Sequence, residues 1–164
     1  MLGRRGKLPV LAEIAGPAAV EGPAWSLRRS DFEQVSELLE RLGDQRVVLV
    51  TGAGDAVGPA AIALAGVATA SGRRVALLDG DLGRPRLAAE LGLAATPGIH
   101  EYLRWEAEAG DLLQPLALGG AAAAGAAEPL VFLAAGRPAA DPATLLGLPS
   151  FDHMTEKLRD AYQL

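Results

Sequence analysis

The chain alternates apolar runs with glycine-marked breaks, and two periodicities dominate it. A helical period opens in "SDFEQVSELLERLG": Ser30 and Glu33 have capping-box spacing, Phe32, Val35, Leu38, Leu39 and Leu42 fall on one face, and Gly43 stops the run. "RVVLVT" (46–51) is continuous and β-branched, the pattern of a strand buried on both faces. A glycine loop follows, then a helix of small residues predicted from Pro59 to Ala70 and ended by "SG". "RRVALLD" (73–79) reads as a second buried strand and "LVFLAAG" (130–136) as a third.

Shorter pieces lie between and after them. Helices are predicted near Arg86 to Leu91, after Thr96-Pro97, and at Asp141-Pro142, with Asp as cap and Pro at the first helical position. Ser150 is the predicted cap of a last helix whose Phe151, Met154, Leu158 and Tyr162 share a face. "PVLAEI" (9–14) has strand character, and "GGAAAAGAAEP" (119–129) has no period. Strand, glycine loop, helix, strand is the grammar of a parallel α/β domain with right-handed crossovers.

Composition narrows the function classes. The chain has 164 residues, half of them hydrophobic, enough for one domain with a core. A net charge of -5 argues against a nucleic-acid partner, and the absence of cysteine removes disulfides, thiolate metal sites and cysteine nucleophiles. No apolar run reaches the ~18 residues that span a bilayer. A basic cluster of Arg4, Arg5 and Lys7 precedes the acidic body, either a solvated tail or a segment for anionic lipid headgroups. His100 and His153 lack metal-ligand spacing, and Trp25 and Trp105 read as packing residues.

The chemistry sits in "LVTGAGDAVGPAAIAL" (49–64). A glycine loop between strand and helix can hold phosphate with backbone N–H groups and the positive end of the helix dipole. Two versions compete. The dinucleotide version wants an acidic residue after the second strand, which Asp79 supplies, and "TGAGDAVG" resembles the short-chain dehydrogenase opening with Ala56 at its middle glycine. No Tyr-x-x-x-Lys pair follows. The phosphoryl-transfer version is G-x-x-x-x-G-K-S/T, whose lysine grips phosphate and whose hydroxyl holds Mg²⁺.

Downstream stretches decide between them. "RRVALLDGDLGRPRLAAELGL", "TPGIHEYL", "LLQPLAL", "LVFLAAGRPAADPATLL" and "SFDHMTEKLRDAYQL" resemble, in order and spacing, the cytoplasmic domain of bacterial tyrosine autokinases. These are P-loop proteins paired with polysaccharide chain-length regulators in capsule and exopolysaccharide export. The resemblance covers nearly all of residues 8 to 164. It implies a P-loop NTPase-like parallel sheet flanked by helices, truncated at the C-terminus, and a division into a basic segment with lead-in strand (1–24) and a kinase-like domain (25–164).

Laid on this sequence, the family's loop is degenerate. Gly54 and Gly58 remain, but Ala56 replaces a glycine, Pro59 the lysine and Ala60 the hydroxyl residue. Asp79, Asp81 and Arg84 match the second acidic motif, while Gly83 stands for an arginine. Asp79 and Asp81 are then vestigial, with residual Mg²⁺ binding the alternative. The self-association helix of the family falls on Glu33, Ser36 and Leu39, which do not keep its E-x-x-R-x-x-R pattern. The tyrosine-rich tail and next aspartate-bearing strand are not represented, and Tyr102 and Tyr162 sit at apolar helix positions. The expectation is an impaired regulatory domain at the inner face of the plasma membrane, contacting a chain-length regulator or an active kinase paralogue. No cofactor is expected, with ATP/Mg if the site is residually active. A dinucleotide-binding oxidoreductase domain and a partition-type ATPase with weak nucleotide binding are the alternatives.

Overall fold

The computed structural model describes residues 25–27, 29–52, 55–120 and 128–164. Residues 1–24, with "PVLAEI", Arg4, Arg5 and Lys7, lie outside them, as does Gly54.

Helix α1 (Arg29–Leu42) uses the predicted face: Val35 and Leu39 are buried, with Phe32, Leu38 and Leu42 packed beside them. It begins at Arg29, so Ser30 lies in its first turn and not at the cap that its spacing to Glu33 predicted. Its apolar stripe lies on helix α2 (Val57–Ala70). Small side chains all round let α2 sink into the core, and every residue from Ile62 to Thr69 is buried. Thr69 is satisfied there by donating its hydroxyl to the Ala65 carbonyl at 2.9 Å.

Strands β2 (Ala76–Leu78) and β5 (Leu130–Leu133) pair in parallel, Leu77 opposite Phe132. This is the predicted α/β core, flanked by helices. Strand β3 (Leu113–Leu116) adds an antiparallel member on the far side of β5, a pairing not foreseen in "LLQPLAL". A separate parallel pair joins β1 (Trp25–Leu27) to β4 (Leu118–Gly120).

One strand expectation fails. Residues 46–51 form no ladder, and Val47 and Leu49 are 65% and 86% exposed while Val48 and Val50 pack on the core. Side-chain alternation has the strand period, but only one face is covered. Continuous hydrophobicity reported the residues and not their neighbours. Nearby, the Arg46 guanidinium donates to the carbonyls of Tyr162 (3.1 Å) and Arg159. The outer edge of β2 is met by the last two residues: Gln163 N–H donates to the Arg74 carbonyl at 2.7 Å, and Ala76 N–H to the Leu164 carbonyl at 2.9 Å.

A second hydrophobic cluster, Leu82, Ile99, Leu103, Ala135 and Met154, unites the short helices. These are α3 (Leu87–Leu91), α4 (Ile99–Leu103), α5 (Pro142–Leu146) and α6 (Pro149–Ala161). Asp141 caps α5 as predicted, accepting from Thr144 N–H at 3.2 Å and its hydroxyl at 2.6 Å. The start of α6 differs from the prediction: Leu148 is the N-cap and Pro149 takes the first position, so Ser150 lies inside the helix. Tyr162 lies just past its end, whereas Tyr102 packs against the second cluster.

Candidate nucleotide site

The site expected from the sequence lies where α2 begins and β2 ends, at the carboxyl end of the sheet, where open α/β folds bind ligands. Helix α2 starts at Val57 with Ala56 as a cap lacking any side-chain hydrogen bond. Pro59 is therefore third in the helix and not first as predicted. It is tolerated because N–H groups in the first turn have no intrahelical acceptor. The same replacement removes one of the few amides that could point at phosphate. Ala60 already donates to the Ala56 carbonyl at 3.1 Å, so its N–H is committed to the helix.

Gly58 has a different reason to be glycine. A Cβ there would stand 2.6 Å from Glu90 Oε2 and 3.3 Å from Leu87 Cδ1. Its smoothness lets α3 approach α2, and it places a carboxylate against the first turn. A second acidic residue of the loop, Asp55, accepts from the Arg86 guanidinium at 2.9 Å. Both partners are exposed, so this pair contributes little to stability.

Asp79 follows β2 and is buried, its own N–H donating to the Leu133 carbonyl at 3.0 Å. Its two oxygens accept backbone N–H groups, from Asp81 at 3.1 Å and from Leu87, the first residue of α3, at 3.2 Å. Burial raises its pKa above the ordinary value, and the neighbouring Asp81 charge adds to that, against the lowering by these two hydrogen bonds. Asp81 is exposed and closes a local turn by accepting Arg84 N–H at 2.9 Å. Arg84 is exposed beside it. Asp79 and Asp81 thus serve the backbone. Among the described residues no group of three or more His, Cys, Asp or Glu could hold a metal.

A second polar centre escaped the sequence. Helix α4 donates its first amides to the segment after β5, Ile99 N–H to Ala134 and His100 N–H to Ala135, both at 2.8 Å. At Gly98 an added Cβ would strike the Gly136 and Ala134 backbone, and Gly136 itself has φ +89°. The close approach seats Glu101. Its carboxylate accepts from Gly98 N–H (2.8 Å), Arg137 N–H (3.1 Å) and Arg137 Nε (2.9 Å). Burial would raise the Glu101 pKa, but these bonds outweigh it and hold the carboxyl below its ordinary value. Arg137 also pairs with Glu106, which Arg104 Nε reaches at 2.8 Å. His100, Arg104, Glu106, Arg137 and Pro138 line an open cleft of about 310 Å³, and His100 Nδ1 is buried without a partner. Only "TPGIHE" hinted at this centre, because Glu101 stands three residues after the glycine that precedes α4.

The described elements make an α/β domain, with helices packed on a small sheet of order β2-β5-β3. No protein-family model and no curated protein sequence matches the chain. Solved structures do. The kinase domain of the Escherichia coli tyrosine kinase ETK is similar at TM-score 0.69 and 23% identity, over 82% of this chain and 52% of that one. The BceF tyrosine kinase domain gives 0.69 and 22%, over 87% and 59%. The VpsO kinase domain gives 0.55 and 25%, over 67% and 50%. The chain has the fold of the bacterial tyrosine-kinase domains, as the resemblance implied, and spans about half to three-fifths of their length.

Proposed function

We propose that the chain is a kinase-like domain of exopolysaccharide or capsule export whose nucleotide chemistry is impaired, and that it acts by protein contact. Residues 25–164 form that domain, and residues 1–24 with Arg4, Arg5 and Lys7 lie at the inner membrane face. Its partner is a membrane chain-length regulator or an active kinase paralogue.

The observation that carries the reading is the first turn of α2. It offers Pro59 and Ala60 where a phosphate grip needs an ammonium and a hydroxyl, and it packs Glu90 against Gly58. Phosphate there meets a carboxylate in place of a cation, and two charge-assisted contacts worth roughly 1.5–3 kcal/mol each are lost. The fold supports the tyrosine-kinase class, and the internal use of Asp79 supports a structural role for that residue. Neither depends on bound nucleotide.

Thermal denaturation with millimolar Mg-ATP tests the reading. Ligand at 100 times its Kd stabilises by about 2.7 kcal/mol, which in a domain of this size raises Tm by about 5–10 °C. A shift of less than about 1 °C is expected. A rise of several degrees overturns the proposal.

A further inference from the structure

Leu164 sets the register of a strand on the outer edge of β2. Its N–H donates to the Arg74 carbonyl at 3.3 Å, and its carbonyl accepts Ala76 N–H at 2.9 Å. These are the two bonds by which one residue of a parallel strand brackets its neighbour, here Val75. On the inner side the Val75 carbonyl accepts Val131 N–H and Asp79 N–H donates to the Leu133 carbonyl, so these residues turn to β5. Ala76 and Leu78, alternating with them, turn their peptide groups outward. Beyond Leu164 on that edge, the Ala76 carbonyl and Leu78 N–H have no partner among the described residues.

Residues 46–51 leave from the same place. The Arg46 guanidinium holds the Arg159 and Tyr162 carbonyls, and the residues that follow them are bonded to β2. Val48, Val50 and Leu164 all pack on the first hydrophobic core. The segment from 47 to 51 alternates in exposure as a strand does, yet none of its backbone N–H or C=O groups is bonded to a described residue. Unused peptide groups thus stand on β2 and on this segment, both rising from residues 159–164. An extended peptide matches such a pair of edges, because its own N–H and C=O groups point alternately to either side. A helix does not, since it satisfies its backbone internally.

We propose that the outer edge of β2 takes up an extended, uncharged strand from a protein partner, parallel to β2 and in the register that Leu164 begins. The partner backbone bonds Leu78 N–H and the Ala76 carbonyl on one side and the free groups of residues 47–51 on the other. The occupant is apolar because the segment from Val47 to Thr51 carries no charge, and Val47 and Leu49 are 65% and 86% exposed beside it. Addition of a strand to an open sheet edge draws affinity from main-chain bonds and specificity from alternate side chains. This names a surface for the protein contact proposed above, so it rests on that contact but not on the state of the glycine loop. Binding of Mg-ATP would overturn the earlier proposal and leave this one standing.

The experiment titrates the chain with a short synthetic peptide of valine, isoleucine and threonine, flanked by lysines for solubility, and follows amide hydrogen exchange by NMR. At saturation the amides of Leu78 and of residues 47–51 should slow about tenfold or more, and Tm should rise by several degrees. The same peptide N-methylated at alternate residues keeps its side chains but loses donors, and it should change neither. Leu49→Asp, at an exposed position, should keep the fold and weaken the peptide by roughly severalfold. The proposal is overturned if no peptide binds, if only one of the two edges is protected, or if the N-methylated peptide binds equally well. It also fails if Tm rises only when the peptide is fused after Leu164, or if a dimer of the chain alone protects the same amides, since neither occupant is a partner.

Discussion

Glu101→Gln is the sharpest probe of how this fold holds its second polar centre. Gln is nearly isosteric, so packing against Gly98 and Gly136 is kept, but its amide has one acceptor oxygen in place of two. Glu101 receives three N–H donors, at 2.8, 3.1 and 2.9 Å. In the variant at least one of them faces an NH₂ group. Gly98 N–H is the group most exposed to loss, because Gly98 is buried and no water replaces the carboxylate. An unsatisfied buried donor costs about 1–3 kcal/mol, and loss of the half-exposed Arg137 pair adds about 0–1 kcal/mol. A total near 2–3 kcal/mol lowers Tm by about 4–12 °C. The pH dependence supplies a second check. Because the folded pKa lies below the ordinary 4.5, this stabilisation is complete above that value and is lost as pH falls through the folded pKa. Melting curves of both proteins from pH 7 to pH 3 should show a gap that closes in acid. Equal Tm at pH 7, or a gap widening on acidification, would refute the reasoning.

Asp79→Asn should show the opposite sign. A buried carboxyl with raised pKa destabilises the fold as pH rises from its ordinary 3.8 through the folded value, so the Tm of the variant relative to the parent should increase from pH 4 to pH 7. A decrease over that range contradicts the burial argument. Leu49→Ser should change stability by no more than about 0.5 kcal/mol, since Leu49 is 86% exposed, whereas Phe132→Ala, at a fully buried position, should cost about 3–5 kcal/mol. Denaturant unfolding distinguishes these, and a loss above about 2 kcal/mol for Leu49→Ser would show that residues 46–51 are covered.

What the sequence made legible follows a physical divide. Elements specified by their own residues were readable: the stripe of α1, the uniformly small α2, the apolar β2 and β5, and the Asp141 cap. Each depends on periodicity or on a local hydrogen bond. Features specified by neighbours were not. "RVVLVT" has the residues of a two-faced strand, yet whether both faces are covered is set by what packs beside it. The pairing of β1 with β4 joins segments more than 90 residues apart through pieces of three residues each, too short to carry a period. Trp105 read as a packing residue because no basic, aromatic-interleaved stretch surrounds it, yet it is 84% exposed with its backbone at φ +63°. Of the candidate site, Ala56, Pro59 and Ala60 were legible as departures from a motif. Glu90 was not, because nothing in the sequence places α3 against Gly58.

The central claim, that the glycine loop no longer grips a nucleotide, is tested most directly by isothermal titration of Mg-ATP into the chain and into the variant Ala56→Gly/Pro59→Lys/Ala60→Thr. The replaced contacts, at roughly 1.5–3 kcal/mol each, correspond to about a 10²–10⁴-fold difference in Kd. The parent should show no saturable binding at millimolar ATP, and the variant should bind measurably. Saturable micromolar binding by the parent would contradict the account.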